Sequence, residues 1–541
     1  MVSQRMVTVV LLIQLFYQSS LIHADTCCPA PCQCFSGTTM ICSDDLMLAL
    51  PNDIPSQVQT LIVVSSGMNT IAFRQTPRLT KLVFLNNPVR TINTSAFAGM
   101  VGLEELEVSG SPFMSIEAGT FDKQANLTKL LLNNNKLRNL VPGIFDFLQK
   151  LEMLELKGNA LTFLNGPLFS KLSSLQQLHL SFNHLSSIDA DHLSGLSRLK
   201  VLNLDLNQIS SLPPDSFIAN SQLRTLSLRG NKIIHLPLGI FAQLNNLEEL
   251  NLRDNKIAEL SSGVFPSCLK TLHLSGNALT HLFSTTFDSL QCLVHLDLSQ
   301  NKLSYLPAEL FQNLTSLQHL DLSENHLVEI PTTIFRGLLL IKVIRLQKNK
   351  LRSLEGDLFK DQEMMSQLYL SGNSLQSVPY GFFDPLDYQG LVQLHGNPWH
   401  CDCALQYLVE WLSYSSNAME DLSQVSCAGP EPVKGLSLSS LDIGQLVCVN
   451  SSSSMSQGSV TSTITLETIE MTSNTTTSTT KQCSLEEVNG TIAVQCKLMT
   501  CPVLRLEAHF DLLDGSNVSY DMEKQWPEHS QCLNATVTLT V

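Results

Sequence analysis

Leucines recur along most of this chain in a fixed register around one polar position. One copy of the pattern consists of Leu223, Leu226, Leu228, Asn231, Ile233, Leu236, Pro237 and Phe241. The polar position recurs every 24 residues, apart from one 22-residue step, and fourteen copies keep this register. We call these the ladder positions: Asn87, Ser111, Asn135, Asn159, Asn183, Asn207, Asn231, Asn255, Asn277, Asn301, Asn325, Asn349, Asn373 and Asn397. A weaker copy precedes them around Leu61, Val63 and Ser66.

The two leucines of each Leu-x-Leu lie on one face of a short strand, because successive side chains of a strand point to opposite faces. One repeat cannot bury this face alone, so the repeats must stack and both ends need caps. The pattern predicts an α/β solenoid over residues 56–397, a curved leucine-rich-repeat horseshoe with a parallel concave sheet. It has about fourteen clear repeats and one degenerate repeat. Asn both donates and accepts hydrogen bonds, whereas Ser111 can do so only in part, so we expect a looser turn there.

The first 24 residues have the features of a signal peptide. Arg5 provides the positive charge, residues 6–17 are almost wholly apolar, and Ala24 is a small residue at the expected cleavage point. The alternative, a membrane anchor, needs a longer apolar run than this one. The last residues, 536–541, are too short for a lipid-anchor tail. We therefore expect a secreted, extracellular protein without a membrane anchor.

Thirteen of the fifteen cysteines form three groups. They predict an N-terminal cap over residues 25–55, a C-terminal cap over 398–448 and a small disulfide-held β-rich module over 481–541 that contains Cys483, Cys496, Cys501 and Cys532. Zinc is the alternative, but the C-x-C spacings lack the paired C-x-x-C pattern of zinc sites. Residues 449–480 are rich in Ser and Thr and predict a flexible, O-glycosylated linker.

The two remaining cysteines, Cys268 and Cys292, occupy equivalent positions of adjacent repeats. Such positions lie about one strand spacing apart, roughly 5 Å, which a disulfide can bridge. Two small buried thiols are an equally good interpretation.

Charge and sequons indicate how the surface is used. The net charge is −15, and removing the signal peptide with Arg5 leaves −16, which argues against a nucleic-acid partner. Eight Asn-x-Ser/Thr acceptors predict N-glycosylation, five of them beyond the repeats, which leaves the concave sheet bare. They are Asn93, Asn126, Asn313, Asn450, Asn474, Asn489, Asn517 and Asn534.

We find no constellation of residues that predicts catalysis. His326 and Glu329 form an H-x-x-E, a spacing used by zinc carboxypeptidases, but His326 follows ladder residue Asn325, and Lys232 fills the equivalent position elsewhere. No H-E-x-x-H, G-x-S-x-G or phosphate loop is present. The sequence therefore predicts a protein that is not an enzyme and that needs no metal or cofactor.

The outward residue at the centre of each strand, four before the ladder position, is the best candidate for binding. This central column is wholly polar from His179 to Asp321, and Asp297, Asp321 and Glu324 suggest an acidic patch. A sheet of fourteen strands is roughly 65 Å long, which suits a protein partner better than a metabolite. The candidate residues are His179, Asn203, Ser227, Asn251, His273, Asp297, Asp321, Glu324, Arg345 and Tyr369.

The cysteine groups resemble the caps of extracellular leucine-rich repeats, with Cys-Pro-x-x-Cys-x-Cys at residues 28–34 and Asn-Pro-Trp-x-Cys-x-Cys at residues 397–403. The resemblance implies four disulfides: Cys28–Cys34, Cys32–Cys42, Cys401–Cys427 and Cys403–Cys448. Cys27 is an additional residue that could be free or could link to another chain.

Longer stretches resemble the family of large, non-catalytic regulatory subunits of plasma carboxypeptidase N. They are Cys42-Ser43-Asp44-Asp45, Leu82-Val83-Phe84-Leu85-Asn86, Leu106-Glu107-Val108-Ser109-Gly110-Ser111, Leu394-His395-Gly396-Asn397-Pro398-Trp399, Cys427-Ala428-Gly429-Pro430 and the cysteine order of the tail. The Ser/Thr linker, Cys27 and the Cys268 and Cys292 pair depart from the family pattern. The resemblance implies a plasma hetero-oligomer in which the chain binds and stabilises a zinc carboxypeptidase that removes C-terminal Lys or Arg from peptides. The alternative is a secreted binding protein for a growth factor complex, a receptor or a microbial ligand.

Overall fold

The protein is described by a computed structural model in two compact units, residues 1–449 and 450–541. In the first unit the described residues are 28–35, 37–73, 78–386, 390–415 and 422–448; in the second they are the backbones of five strands. The predicted signal peptide, Cys27 and the Ser/Thr linker lie outside these residues.

The first unit contains one long sheet with one short strand per repeat. Strand β1 pairs antiparallel with β2, and from β2 to β17 every strand pairs parallel with the next one along the chain. The early strands are β1 Cys32–Phe35, β2 Thr39–Cys42, β3 Thr60–Val64, β4 Lys81–Leu85, β5 Glu105–Ser109, β6 Lys129–Leu131, β7 Met153–Glu155 and β8 Gln177–His179. The later strands are β9 Val201–Asn203, β10 Thr225–Ser227, β11 Glu249–Asn251, β12 Thr271–His273, β13 His295–Asp297, β14 His319–Asp321, β15 Val343–Arg345, β16 Gln367–Tyr369 and β17 Leu391–Gln393.

The predicted solenoid is confirmed. Strands β4 to β17 are the fourteen clear repeats, β3 is the degenerate one, and the inward leucines are fully buried. On the convex side, a file of buried phenylalanines stacks from repeat to repeat, with ring centroids 6.1 Å apart for Phe97 and Phe121. This side consists mainly of turns, with the short helix α1, Ala190–Leu193, and a 3-10 helix, Gly356–Phe359, in the described repeats.

The ladder residues connect neighbouring repeats through their side-chain amides. Asn183 Nδ2 donates to the Leu156 carbonyl at 2.9 Å in the preceding repeat and to its own Leu180 carbonyl at 3.0 Å, while its Oδ1 accepts from the Leu161 N–H at 3.0 Å. At each ladder position, the residue immediately before it has positive φ. Bulky side chains rarely adopt this conformation, yet Phe182 does so at φ 57°.

Ser111 is the exception in the ladder. Its side chain is buried, and its Oγ has no hydrogen-bond partner among the described residues. The Ser111 N–H still donates to Asn135 Oδ1 at 2.8 Å, so the ladder is maintained only by the following repeat. A hydroxyl is too short to make the contacts of an amide, as the sequence indicated.

Both caps form the four disulfides that the resemblance implied, Cys28–Cys34, Cys32–Cys42, Cys401–Cys427 and Cys403–Cys448. In the C-terminal cap, β18 pairs with β19, and Trp399 is fully buried. The elements of this cap are β18 Trp399–His400, β19 Cys427–Gly429, helix α2 Gln406–Tyr414 and the 3-10 helices Cys403–Leu405, Leu422–Gln424, Glu431–Val433, Leu438–Ser440 and Ile443–Gln445.

For Cys268 and Cys292, neither the predicted disulfide nor the predicted pair of buried thiols is correct. They are free thiols, so no disulfide joins them. Cys268 is half-buried and its Sγ lies 2.6 Å from the Asn245 carbonyl oxygen, whereas Cys292 is exposed. The Cys268 thiol thus contacts the repeat before it, whereas Cys292 lies in the repeat after it.

The second unit consists of antiparallel strands. β20, β21 and β24 form one sheet and β22 and β23 a hairpin: β20 Cys483–Val488, β21 Thr491–Cys496, β22 Leu504–Asp511, β23 Asn517–Lys524 and β24 Thr536–Leu539. The register places Cys483 opposite Cys496. Cys501 and Cys532 lie outside the described residues, so the disulfides of this module remain a prediction.

Three predicted glycosylation sites lie in the described part of the first unit, outside every strand. Asn93 and Asn126 are exposed, and Asn313 is half-buried. Asn450, Asn474, Asn489 and Asn534 lie outside the described residues, and only the backbone of Asn517 is described, at the start of β23.

Candidate protein-binding face on the concave sheet

The central column lies in one continuous register across the sheet. In β13 to β16, Asp297 pairs with Asp321, Asp321 with Arg345, and Arg345 with Tyr369. The same register joins His179, Asn203, Ser227, Asn251 and His273 in β8 to β12. The side chains crowd each other, so that Ser227 and Asp297 are buried rather than solvated.

Four residues of the central column bind their own backbone. The side-chain oxygen of each accepts a hydrogen bond from the N–H two residues further on, at 3.0–3.1 Å: Asn203 from Asp205, Asn251 from Arg253, Asp297 from Ser299 and Asp321 from Ser323. This bond satisfies a backbone donor where the strand ends. Part of the polarity of the column therefore serves the fold, and the second carboxylate oxygens of Asp297 and Asp321 are the groups left for other contacts.

Asp297 is held as a carboxylate. Its Oδ2 accepts from Arg253, whose Nε lies at 3.0 Å, and His273 Nδ1 lies 3.8 Å from the same oxygen. Burial alone would raise the pKa of this carboxyl, but His273, Ser299 and Arg253 outweigh it and hold the pKa well below its ordinary value. Of the predicted residues, His273 and Asp297 thus lie close together beside Arg253, which was not among the predicted binding residues.

Asp321 is shifted in the opposite direction. Burial raises its pKa, hydrogen bonds from Ser323 oppose that rise, and the nearby charge of Asp297 adds to it. Arg345 lowers this pKa only at a distance, because its guanidinium lies over the Tyr369 ring, 5.0 Å from the centroid. Arg345 and Tyr369 form a cation–π pair beside a carboxyl that burial favours in its neutral form.

The three predicted carboxylates do not form a uniformly acidic patch. Glu324 lies in the turn after β14 rather than in the central column, and its Oε1 is 2.9 Å from Lys348 Nζ. Asp297 is bound to Arg253. Basic groups therefore compensate two of the three charges, and Asp321 is the residue of the set without an ion pair among the described residues.

Histidines flank the central column at its later strands. The rings of His295 and His319 stack with centroids 4.3 Å apart, and burial lowers the pKa of both. Earlier in the column, burial lowers the pKa of His179 although Glu155 opposes this. The flanking residues were missed because only one outward residue of each strand was considered, whereas residues two positions away share its face.

The early strands form a shallow pocket of about 230 Å³ on the same face. Glu105 bridges Lys81 at 2.8 Å and Lys129 at 2.7 Å, and these two lysines hold its pKa below the ordinary value. Val83, Leu131 and Met153 supply apolar lining, and Glu107 also lines the pocket. Burial raises the pKa of Glu107, against a hydrogen bond from Ser109. An apolar floor with charged walls suits a protein side chain.

Among the described residues, no group of three or more His, Cys, Asp or Glu side chains is placed to hold a metal ion. The H-x-x-E residues His326 and Glu329 are both exposed, and the His326 N–H makes the ordinary repeat contact to the Leu303 carbonyl at 2.8 Å. No helix in the described part of the chain has the length and apolar character needed to cross a membrane.

Comparison with known proteins identifies the repeats. The leucine rich repeat family model matches five overlapping segments, residues 125–185, 175–233, 221–268, 267–327 and 316–375. The chain is 33% identical over 156 residues to human carboxypeptidase N subunit 2 and 34% identical over 156 residues to the mouse protein, which is 27% of this chain and 27% of each relative. The chain thus aligns with little more than a quarter of these relatives.

Solved structures share the fold. One chain of the Drosophila Toll–Spatzle complex has a TM-score of 0.63 at 22% identity, covering 73% of this chain and 56% of that one. A leucine-rich-repeat protein of Leptospira interrogans has a TM-score of 0.60 at 25% identity, covering 69% of this chain and 93% of that one. With its parallel sheet, its asparagine ladder and its matched repeats, the first unit has the leucine-rich-repeat fold, and residues 125–375 match the leucine rich repeat family model.

Proposed function

We propose that this chain is a secreted, non-catalytic regulatory subunit that binds and stabilises a zinc carboxypeptidase acting on C-terminal Lys or Arg of peptides. The observation that carries the proposal is the 156-residue similarity to carboxypeptidase N subunit 2 of two mammals. The solenoid supports a binding role, because proteins of this architecture act through extended concave surfaces.

The concave sheet is the proposed contact surface. Arg345 and Tyr369 offer a stacked, pre-ordered pair of the residue types that dominate binding energy at interfaces. Asp321 beside them supplies an acceptor. The pocket between Lys81 and Met153 offers a second contact, where an apolar side chain of the partner could enter between charged walls.

Stabilisation of the partner follows from mass action. A subunit that binds only the folded enzyme lowers its unfolded fraction by a factor that grows with the ratio of free subunit to Kd. The enzyme gains about 2.7 kcal/mol of stability when the free subunit is at 100 times Kd. The proposed chain therefore needs no catalytic residue of its own. The quantity that tests this role is the half-life of the enzyme, with and without the bound chain.

The test is capture from plasma by the glycosylated full chain, followed by mass spectrometry and an assay for release of C-terminal Lys and Arg. We expect a basic-residue-specific carboxypeptidase to be retained, and its thermal inactivation at 37 °C to be slower in the complex. Capture of a growth factor, a receptor or a microbial ligand without carboxypeptidase activity would replace the proposal with the alternative binding role.

Matched variants then locate the interface. Arg345→Ala with Tyr369→Ala is expected to weaken capture about tenfold or more, because both members of the stacked pair are lost. The control is Arg336→Ala with Tyr414→Ala, which removes the same residue types from exposed positions outside the sheet. Equal binding by the two double variants would exclude this part of the concave face.

A further inference from the structure

A file of basic residues follows the ladder on the flank of the solenoid, just beyond the tight turn. It occupies the position directly after the ladder Asn in consecutive repeats, with Ala278 as its one member that is not a basic residue type. We call it the basic column: Lys232, Lys256, Lys302, His326 and Lys350. All five side chains are exposed.

The backbone holds this column in register. The N–H of each of these residues donates to a carbonyl of the preceding repeat, for example Lys256 to Ile233 at 2.9 Å, Lys302 to Leu279 at 2.9 Å and Lys350 to Leu327 at 2.8 Å. The Cα atoms are therefore stacked at about the strand spacing, roughly 4.8 Å, and five such steps span about 24 Å. The four lysines therefore lie in one row along the repeats, one or two repeats apart, rather than in a compact patch.

The row is not compensated locally. No carboxylate of the described residues forms an ion pair with the four lysines of the column. The acids in the turn beside it are already bound, Asp254 by Arg229 at 2.8 Å and Glu324 by Lys348 at 2.9 Å. This concentration of positive charge occurs in a chain of net charge −15, so the overall composition does not indicate it.

Two exposed carboxylates beside the basic column limit the path of a ligand. Glu259 lies near His235, at 3.7 Å, and Glu329 is exposed, both three positions beyond the column. Tyr305 lies in a repeat between them and is 56% exposed, and Ile234, two positions after Lys232, is 44% exposed. A ligand along the column is thus guided by repulsion on the outer side and can rest on apolar surface between charges.

We propose that the basic column binds a linear sulfated polysaccharide. Lysine presents a compact point charge, which suits single sulfate groups, whereas bidentate recognition of carboxylates favours Arg. Consecutive sugar rings advance a polysaccharide by about one repeat of this column. In an extended peptide, same-face side chains recur every two residues, about 6.6 Å, and fall out of step with a row spaced at roughly 4.8 Å.

This site goes beyond the proposed function and is separate from it. The basic column follows the ladder turn, whereas the contact surface proposed above is the central column of the strands. A polysaccharide on the flank leaves the concave sheet accessible. The site would concentrate the chain, with any partner, on sulfated extracellular surfaces, because polyanion binding is dominated by charge and falls with salt.

The test measures the binding of heparin by the purified full chain as a function of NaCl. The variant combines Lys232→Gln, Lys256→Gln, Lys302→Gln and Lys350→Gln. Its matched control combines Lys123→Gln, Lys171→Gln, Arg198→Gln and Arg336→Gln, which removes the same charge from exposed residues outside the strands. Circular dichroism and the thermal midpoint establish that both variants are folded.

We expect the Kd for heparin to rise roughly tenfold or more in the column variant, and the slope of log K against log salt to fall by about one per lysine removed. The control should retain nearly all of its affinity. Equal losses in both variants, or no binding by the unmodified chain at physiological salt, would overturn the proposal. Comparable column-dependent binding of duplex DNA, polyglutamate or unsulfated hyaluronan would overturn the assignment to sulfated polysaccharide.

Discussion

Two neighbouring repeats contain the same five residues in the same places, His-Leu-Asp-Leu-Ser at 295–299 and at 319–323. Much of their structure is also the same. Each Asp accepts a 2.6 Å hydrogen bond from the hydroxyl two residues further on, Asp297 from Ser299 and Asp321 from Ser323. Yet the pKa of Asp297 is lowered and that of Asp321 is raised.

The difference comes from the two preceding repeats. One repeat earlier, the register neighbour is His273 for Asp297 but the carboxylate of Asp297 for Asp321. Arg253 reaches Asp297 across the intervening repeat, where the corresponding residue is the small Ser275. Two repeats before Asp321 this position is Ser275 itself, which cannot supply a cation. The charge state of a residue in this solenoid therefore depends on the side chains of more distant repeats, even where the local sequence is identical.

The largest predicted effect tests what the two repeats share. Asn301 and Asn325 each bind carbonyls of their own and the preceding repeat, and each accepts one N–H. Replacing either by Ala leaves several buried backbone groups unsatisfied, so Asn301→Ala and Asn325→Ala should each cost about 3 kcal/mol of unfolding free energy. Parallel urea titrations measure this. Costs that differ by more than about 1 kcal/mol would show that the two ladders are not equivalent.

Removal of Arg253 should make the two repeats alike. Arg253→Met leaves Asp297 without its bound cation, and we expect the free energy of unfolding to fall by about 2 kcal/mol. This is less than the cost of breaking a fully buried ion pair, because Arg253 is partly exposed. The pKa of Asp297, followed by NMR of its carboxyl carbon, should rise. Arg229→Met is the control, because its ion pair with Asp254 is exposed on both sides. An unchanged pKa of Asp297 would contradict the role of Arg253.

The sequence was sufficient to predict what depends on the repeat. The register, the strands and the outward position of Asp297 and Asp321 follow from spacing, and the cap disulfides follow from the resemblance to the caps of extracellular leucine-rich repeats. It did not predict which groups meet across repeats, because Arg253 is 44 residues from Asp297 and becomes its neighbour only through stacking. The alternation of side chains along each strand placed Arg253 on the concave face. It did not show that the Arg253 side chain would extend past Ser275 to reach Asp297, because that contact depends on how the repeats pack.

Cys292 shows a second limit of the sequence. Its position relative to Cys268 follows from the repeat, but whether the two thiols face each other depends on side-chain rotation. The Cys268 thiol turns to the Asn245 carbonyl, which is an acceptor the sequence does not identify. Each residue of the basic column can be read from the sequence, but only the register of the repeats shows that these residues lie in one row.

Neutralising each carboxyl should have opposite effects at neutral pH. Asp297→Asn removes the carboxylate that Arg253 binds and should cost about 1 kcal/mol, whereas Asp321→Asn should be neutral or stabilise by about 0.5 kcal/mol. The folded pKa of Asp297 is below its unfolded value of about 3.9, so its contribution is present above that pH and is lost as pH falls through the folded pKa. The folded pKa of Asp321 is raised, so its penalty appears as pH rises through about 4.

Unfolding free energies between about pH 4 and pH 7 measure both trends. The advantage of Asp321→Asn over the unmodified chain should grow with pH across this range, and the deficit of Asp297→Asn should remain nearly constant until the most acid values. A deficit for both variants at pH 7 would mean that Asp321 is also bound as a carboxylate.

The smallest effects concern the serines that serve both carboxyls. Ser299→Ala and Ser323→Ala each remove one hydroxyl donor, and each should change the unfolding free energy by about 0.5–1 kcal/mol. The consequences for titration differ, because Asp297 keeps Arg253 whereas Asp321 keeps only the Ser323 N–H among its described donors. We therefore expect Ser323→Ala to raise the pKa of Asp321 further, and Ser299→Ala to move that of Asp297 upward but still leave it below the ordinary value. NMR titration of the two carboxyls in both variants measures this. A pKa of Asp297 that reaches the ordinary range without Ser299 would show that Arg253 does not hold this carboxyl below its ordinary pKa by itself.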